Sequence, residues 1–137
     1  MIRENVQVYI YSTDYKKVLL LKRTEEKFGY WQPVSGGIKN NESLRDAGMR
    51  RVFEKTGLME CKKIVILPNE YDYYEIKNRV RMHRKDKCIL MIIDKIEAIE
   101  LSEEHVTYRW CNLNEVSTFN DRASIVESIA LIKEIVL

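Results

Sequence analysis

The chain has 137 residues, of which 45% are hydrophobic and 32% are charged. A chain of this length and composition can bury a sizeable core, so residues 1–137 are predicted to form a single globular domain. Its 23 basic side chains nearly balance its 21 acidic ones, and the net charge of +2 therefore gives no reason to expect a specific nucleic-acid partner.

No stretch of the sequence predicts a membrane segment. The longest apolar run, Cys88 to Ile93, is too short to span a bilayer, and the N-terminal MIRENVQVYIY lacks the apolar core of a signal peptide. Cys61, Cys88 and Cys111 are odd in number and widely spaced, so reduced thiols are expected. These features together predict a cytoplasmic protein without a membrane partner.

The first third of the chain reads as three strands. Val6 to Ser12 alternates β-branched and aromatic residues, and Lys17 to Lys22 follows a short turn, so the two segments are predicted to form a hairpin. A polar loop from Arg23 to Tyr30 then leads to a short strand, Trp31 to Ser35.

The stretch from Gly36 to Leu58, GGIKNNESLRDAGMRRVFEKTGL, is predicted to be a loop followed by a helix. Ser43 and Asp46 form an S-x-x-D capping box at its start, and Gly57 ends it. The predicted buried stripe consists of Leu44, Gly48, Met49, Val52 and Phe53. The charged residues Arg50, Arg51, Glu54 and Lys55 are expected mostly on the other side.

After this helix, strands are predicted at Cys61 to Leu67, Tyr71 to Ile76 and Cys88 to Asp94, with a turn at Pro68-Asn69. The tyrosines of the strand from Tyr71 to Ile76 could stack on a nucleobase, or they could divide between a core face and solvent. Basic residues crowd the stretch from Lys77 to Lys87. This stretch is either a solvated loop between strands or a rim that attracts phosphate.

The last part of the chain begins with a loop and a strand between Leu101 and Trp110. A short helix is predicted from Leu113 to Val116, and an amphipathic helix from Asp121 to Val136. Strands mixed with two principal helices indicate the α/β class, with an α/β/α sandwich around a mixed sheet.

The stretch from Gly36 to Leu58 resembles the box of the Nudix (MutT-like) hydrolases, G-x5-E-x7-R-E-U-x-E-E-x-G-U, where U is a bulky aliphatic residue. The matching positions are Gly36, Glu42, Arg50, Val52, Glu54, Gly57 and Leu58. Arg51 and Lys55 stand where the family has glutamates. The box is therefore degenerate, while the resemblance extends over nearly the whole chain and implies the family's α/β/α fold.

The resemblance implies a role for each matching position. Gly36, Gly37, Glu42, Arg50 and Gly57 would form the scaffold of the box. Glu54, the backbone carbonyl of Ser35, and Glu104 would be metal ligands, with Mg²⁺ or Mn²⁺ as the cofactor of an active enzyme. Glu54, Glu104 and Glu103 are the catalytic candidates, the loop glutamates acting as an extra ligand or as base.

The charges on the helix oppose this metal site. Residues 51, 54 and 55 lie within roughly 100° of one another on a helix, and their charges act on one patch. Three carboxylates would suit Mg²⁺, whereas two cations and one carboxylate repel it. Arg51 and Lys55 are therefore also candidates for direct binding of phosphate, and Arg23, Arg81 and Tyr30 are further substrate-binding candidates.

Two functions follow from the resemblance. The first is a Nudix hydrolase of a nucleoside or pterin di- or triphosphate-linked substrate, with weakened activity, that uses metal-assisted attack of water on a phosphorus. The second is an inactive Nudix domain that binds a nucleotide or polyphosphate through Arg51 and Lys55 without a cofactor. A purely structural domain is a third alternative, and a homodimer stays open.

Three short motifs look most like the dihydroneopterin triphosphate and dNTP pyrophosphohydrolase branch of the family. They are Tyr30-Trp31-Gln32, Glu104-His105 with Tyr108-Arg109-Trp110, and Asn120-Asp121-Arg122.

Overall fold

The computed structural model describes residues 2–137. Its strands are β1 (Ile2–Ser12), β2 (Lys17–Arg23), β3 (Trp31–Gln32), β4 (Val34–Gly37), β5 (Lys63–Lys77), β6 (Val80–Ile93) and β7 (His105–Asn112). Its α-helices are α1 (Leu44–Thr56), the short α2 (Val116–Phe119) and α3 (Ala123–Val136), and single 3-10 turns lie at Glu25–Lys27 and Leu113–Glu115. Within residues 2–137, no helix combines the length and apolar character that crossing a membrane requires.

The strands form one mixed sheet in the order β3-β2-β1-β6-β5, with β4 paired to β1 and β7 paired to β2. β1 and β6 run parallel, and the other strand pairs are antiparallel. Helix α1 covers one face of the sheet and α3 covers the other. The predicted α/β/α arrangement around a mixed sheet is confirmed.

Alternation along β1 divides the core between the two faces. Val6, Val8 and Ile10 belong to the cluster that includes Val52 of α1. Tyr9 and Tyr11 belong to the other cluster, to which α3 contributes Ile125, Ile129 and Ile132. Since successive side chains of a strand point to opposite faces, one central strand holds both helices in place.

A split in the sheet beside β1 creates the cleft of the molecule. The end of β1 pairs with β2 at Tyr11 and Ser12, whereas its first half, from Asn5 to Val8, pairs with β4. Beyond Val18, β2 leaves β1 and pairs with β3 at Leu21 and Lys22, while β7 runs along its other edge. The two parts of the sheet therefore diverge, and a cleft opens between them.

The region from Lys63 to Ile93 differs from the prediction. β5 is one continuous strand, and a register shift between Ile66 and Glu70 takes the place of the predicted turn. Proline is tolerated there because β5 is an edge strand and the irregularity removes regular pairing. The basic stretch is not a loop, because β6 already begins at Val80 after a tight turn.

Helix α1 also differs from the prediction in the residues it buries. Lys55 is buried, whereas Phe53 is 53% exposed. Gly48, Val52 and Lys55 are spaced i, i+4 and i+7, so they share the face that packs on the sheet. A Cβ on Gly48 would lie 2.3 Å from Cδ1 of Ile89, which shows how closely α1 approaches β6.

Gly57 is expected to stabilise the end of α1 through its backbone conformation. Its φ of 79° is left-handed, and its N–H donates to the carbonyl of Phe53. We expect Gly57→Ala to lower the free energy of unfolding by about 1–2 kcal/mol, measured by urea denaturation. Gly57→Asn is the matched control: it adds the same Cβ, yet asparagine tolerates this conformation better and should lose less stability. Equal losses in the two variants would contradict the backbone explanation.

Candidate active site

The box folds as a loop, a capped helix and a stop. The Ser43 side chain accepts a hydrogen bond from the N–H of Asp46 at 3.0 Å, and Gly57 ends the helix. Strand β4 carries Ser35 and Gly36, which line the cleft beside α1. The local signals in the sequence were therefore sufficient to place the box.

Arg50 fastens the loop of the box to the helix. Its Nε donates to Oε2 of Glu42 and its Nη2 to Oε1, both at 2.8 Å, and Nη2 also reaches the Gly37 carbonyl at 3.1 Å. The Arg50 guanidinium, together with the backbone N–H of Lys39, lowers the pKa of Glu42 to about 2. These contacts join Gly37, Glu42 and Arg50, and their role as scaffold of the box stays a prediction.

Glu54, the carboxylate of α1 that matches the box, is bound to two arginines. Its Oε1 accepts from Nη1 of Arg50 at 3.0 Å and lies 3.4 Å from Nη1 of Arg51. The side chain is 44% exposed and is not among the residues that line the cleft. Glu54 is thus compensated by positive charge before any cation approaches.

Arg51 lies across Gly36 and Gly37 at the end of β4. A Cβ on Gly36 would be only 2.5 Å from Nε of Arg51, and that Nε donates to the Gly37 carbonyl at 3.1 Å. The absence of a side chain at Gly36 therefore leaves room for the guanidinium. Arg51 lines the cleft together with Ser35 and Gly36. The positive charge of Arg51 therefore lies close to Ser35, whose backbone carbonyl would be a metal ligand according to the resemblance.

The residues present do not fit the divalent cation that the family implies. In the described part of the chain, no group of three or more histidine, cysteine, aspartate or glutamate side chains could hold a metal ion. Arg51 and Lys55 add positive charge at the two positions where carboxylates were needed. Glu54 is engaged by arginines, so the metal site expected from Glu54, Ser35 and Glu104 is not assembled.

Lys55 forms an ion pair with Glu104, which comes from the loop before β7. The ammonium group donates to Oε2 of Glu104, and this hydrogen bond is the main reason that the pKa of Glu104 is lowered. The Glu104 backbone carbonyl accepts from the N–H of Thr24 at 3.2 Å. Lys55 thus holds the loop against the helix, and Glu104 forms part of the cleft wall.

His105 is buried beside this ion pair. Burial, followed by the charge of Lys55, lowers the pKa of His105 to about 4, so the ring is neutral at physiological pH. Within residues 2–137, neither ring nitrogen has a hydrogen-bond partner. The ring does not line the cleft, which leaves a role as base without geometric support.

The cleft has a volume of about 470 Å³ and an excess of positive charge. Its basic side chains are Arg23, Arg51, Lys55, Arg84 and Arg122, and its acidic ones are Glu75, Asp86 and Glu104. Arg84 is bound to Glu75, and Lys55 to Glu104. Among the described residues, Arg23 and Arg122 form no ion pair, so they are the basic groups most available to an anion.

The structure brings some predicted binding residues together and leaves others apart. Arg23 and Tyr30 line the cleft with Arg51 and Lys55. Arg81 instead places its guanidinium 3.9 Å from the ring centre of Tyr74, away from the cleft. Glu103 is likewise not among the residues that line the cleft.

Arg122 and Asn120 line the cleft but were not among the predicted site residues. Asn120 donates to the backbone carbonyl of Trp31 at 2.8 Å and so ties the segment before α3 to β3. The motif Asn120-Asp121-Arg122 had drawn attention to this segment. Only the folding of α3 against the sheet, however, brings Arg122 beside the box.

Comparisons with known proteins agree with this architecture. The NUDIX domain model matches residues 1–131, so the chain belongs to the Nudix family. The dihydroneopterin triphosphate diphosphatase of Haemophilus influenzae is 25% identical over 138 residues, covering 92% of this chain and 84% of that protein. The family is that of the Nudix hydrolases, and this chain has pyrophosphohydrolase homologues.

Two solved structures show the same fold. The E. coli dihydroneopterin triphosphate pyrophosphohydrolase superposes with a TM-score of 0.78 at 20% identity, covering 92% of this chain and 91% of that one. The NUDIX domain of Shewanella oneidensis NrtR, complexed with ADP ribose, gives a TM-score of 0.74 at 21% identity. That match covers 98% of this chain and 88% of the other.

The Glu42–Arg50 ion pair predicts a pH-dependent contribution to stability. Because the folded-state pKa of Glu42 is about 2, below the usual 4.5, its stabilising effect is present above pH 4.5 and is lost as the pH falls through 2. We expect Glu42→Gln to lower the free energy of unfolding at neutral pH, with a difference from wild type that shrinks in acid. Urea denaturation between pH 2 and 7 measures this difference.

Glu60 supplies the control for this series, because it is exposed and forms no ion pair within residues 2–137. We expect Glu60→Gln to stay within about 0.5 kcal/mol of wild type. A deficit of Glu42→Gln that does not change with pH would contradict the assigned cause.

Proposed function

We propose that the cleft binds a nucleoside or pterin di- or triphosphate directly, with guanidinium groups in place of a divalent cation. The observation that carries this proposal is the position of Arg51, whose guanidinium lies over Gly36 and donates to the Gly37 carbonyl. A fixed positive charge beside the box neutralises phosphate oxygens without a metal. Arginine suits this task because its planar fork forms paired hydrogen bonds with phosphate.

Arg23 and Arg122 supply the further positive charge that a polyphosphate requires. Arg23 ends β2, and its Nε is buried without a hydrogen-bond partner in the described part of the chain. A buried donor of this kind gains free energy when an acceptor arrives. The three arginines come from separate elements but line one cleft, so the phosphates of one ligand can contact all of them.

The position of Arg122 also favours an anion. Arg122 is the N-cap residue of α3 and makes no capping hydrogen bond through its side chain. A positive side chain at the positive end of a helix dipole is unfavourable, by about 0.3–1 kcal/mol at exposed sites. A bound phosphate removes this repulsion and is attracted by both the side chain and the dipole.

The relatives support the ligand class. One is named as a diphosphatase of dihydroneopterin triphosphate, and a similar Nudix domain was crystallised with ADP ribose. Both ligands join a heterocycle to phosphates. We therefore infer that the ligand of this chain also consists of a heterocycle joined to phosphates. A cytoplasmic location, a single domain over residues 1–137 and a homodimer stay predictions.

Weak hydrolysis is the second candidate function, and Glu104 favours it. Its carboxylate lines the cleft, where a carboxylate oxygen can accept a proton from water. The hydrogen bond from Lys55 lowers the pKa of Glu104 and so makes it a weaker base. Family membership supports the same reaction class. The missing carboxylates of α1 and the engagement of Glu54 argue that this activity is reduced.

Binding should therefore be independent of divalent metal and dependent on Arg51. We expect the affinity for GTP, measured by calorimetry, to be the same with Mg²⁺ and with EDTA. Arg51→Glu should weaken it at least about tenfold, because an attractive charge becomes repulsive. Arg45→Glu is the matched control on the exposed side of the same helix and should change it less than about twofold. Loss of binding in EDTA would contradict the proposal.

Turnover separates the two candidates. We expect wild type with Mg²⁺ or Mn²⁺ to release pyrophosphate far below the ordinary kcat of about 10 s⁻¹. Arg51→Glu/Lys55→Glu restores carboxylates to the box and should gain metal-dependent release. Arg51→Glu alone is the companion variant, since it leaves the Lys55–Glu104 ion pair intact. Ordinary turnover by wild type would favour hydrolysis over binding.

A further inference from the structure

A group of uncharged donors surrounds one carboxylate on the floor of the cleft. Asp86 of β6 accepts hydrogen bonds from Nδ2 of Asn5 at 3.2 Å, Nε2 of Gln7 at 3.1 Å and the hydroxyl of Tyr73 at 3.3 Å. The hydroxyl of Tyr9 donates to Oε1 of Gln7 at 2.9 Å, which orients the Gln7 amide so that its NH₂ faces Asp86. Asn5, Gln7, Tyr73 and Asp86 all line the cleft.

The position of Asp86 is unusual for a structural carboxylate. The residue is only 8% exposed, and it forms no ion pair within residues 2–137. Buried carboxylates are normally paired with a cation. Arg84 lies two residues away on the same strand, but its guanidinium binds Glu75 instead. Asp86 is therefore held in place by uncharged donors and has no cationic partner among the described residues.

Asp86 also has capacity for further donors. A carboxylate offers about four acceptor positions, and here one donor binds Oδ2 while two bind Oδ1. The Tyr73 hydroxyl bond is the longest of the three, at 3.3 Å, and Tyr73 is 40% exposed. An incoming ligand can thus occupy the open position on Oδ2 and replace Tyr73 at Oδ1, while Gln7 stays in place.

The ligand edge that fits this arrangement has two adjacent N–H donors followed by an acceptor. A 2-amino-4-oxopyrimidine ring presents such an edge: a ring N–H and an exocyclic NH₂ for the carboxylate, and a carbonyl for the NH₂ of Gln7 or Asn5. Guanine and the pterins contain this ring. Adenine presents a ring nitrogen lone pair beside its amino group, which would face the carboxylate oxygens and be repelled.

The spacing between the two ends of the cleft suits one ligand. Gln7 of β1 pairs with Ser35 of β4, and Asn5 of β1 pairs with Asp86 of β6. Asp86 on β6 and the glycines of β4 beneath Arg51 are therefore two strands apart, or roughly 10 Å. A nucleoside spans this separation between its heterocycle and its first phosphates.

We propose that Asp86, oriented together with Gln7, selects ligands that carry a 2-amino-4-oxopyrimidine ring, as in guanine nucleotides and pterin phosphates. This inference rests on the proposed binding of polyphosphate in the same cleft. It names the heterocycle, whereas the arginines account only for the phosphates. Selectivity of this type is steep, because a mismatched ring leaves the buried carboxylate facing an acceptor.

The test is a panel of four probes in EDTA, measured by calorimetry: GTP, ITP, ATP and inorganic tripolyphosphate. ITP lacks only the 2-amino group, so we expect it to bind about tenfold more weakly than GTP, the equivalent of one lost hydrogen bond to a charged group. ATP should bind more weakly still. This ranking on wild type requires no variant and so does not depend on the folding of a mutant.

Asp86→Asn then tests the residue itself. Its amide has one acceptor and one donor group, so the preference for GTP over ATP should fall to less than about twofold. Asp72→Asn is the matched control, because Asp72 lies on the neighbouring strand β5, binds His83 and does not line the cleft. This control should keep the full preference.

Failure of the inference and failure of the proposed function give different results. Binding of tripolyphosphate, with equal affinity for GTP and ATP, would overturn the role of Asp86 and leave phosphate binding intact. No binding of any probe would overturn both proposals. A GTP preference that survives in Asp86→Asn would also overturn the role assigned to Asp86.

Discussion

The cleft depends on the contacts that Arg50 makes with Glu42 and the Gly37 carbonyl. These contacts join three parts of the box: the strand end at Gly37, the loop at Glu42 and the helix at Arg50. With the loop fastened in this way, Gly36 stays open to the cleft and the next residue of the helix can lie across it. The strand, the loop and the helix of the box are therefore held together by one arginine.

Arg51 supplies the positive charge at this site from the protein itself. Arg51 donates to the Gly37 carbonyl, and both Arg50 and Arg51 contact Glu54. Lys55 is bound to the carboxylate of Glu104, which comes from the loop before β7. Glu42, Glu54 and Glu104 are thus each compensated by a basic side chain. A divalent ion entering this site would displace several ion pairs and meet two fixed positive charges.

The cleft has two regions that are lined by different kinds of side chain. Arginines from β2, α1 and the segment before α3 surround one region and suit phosphate oxygens. The central strands β1 and β6 contribute Gln7 and Asp86 to the other, where neutral donors hold a carboxylate. Because the second region is built on paired strands in the middle of the sheet, its geometry is more rigid than that of the loops. This rigidity suits recognition of a flat heterocycle.

Local patterns in the sequence determined the class of the fold and the position of the box. Capping by Ser43, the stop at Gly57 and the alternation of β1 depend on neighbouring residues, and each was found in the structure as predicted. Local patterns failed at β5, where a proline and asparagine that usually make a turn are accommodated as an irregularity in an edge strand. They also failed at Lys55, because polarity predicted exposure while helical spacing placed it on the packed face.

Only the tertiary structure decided how the charges are paired. Lys55 and Glu104 are 49 residues apart, and their ion pair forms because the loop before β7 docks against the buried Lys55. Gln7 and Asp86 are 79 residues apart and meet because β1 and β6 run parallel. Arg122 reaches the cleft only when α3 packs on the sheet. The sequence by itself determined which residues were available, whereas long-range packing decided which of them face the same ligand.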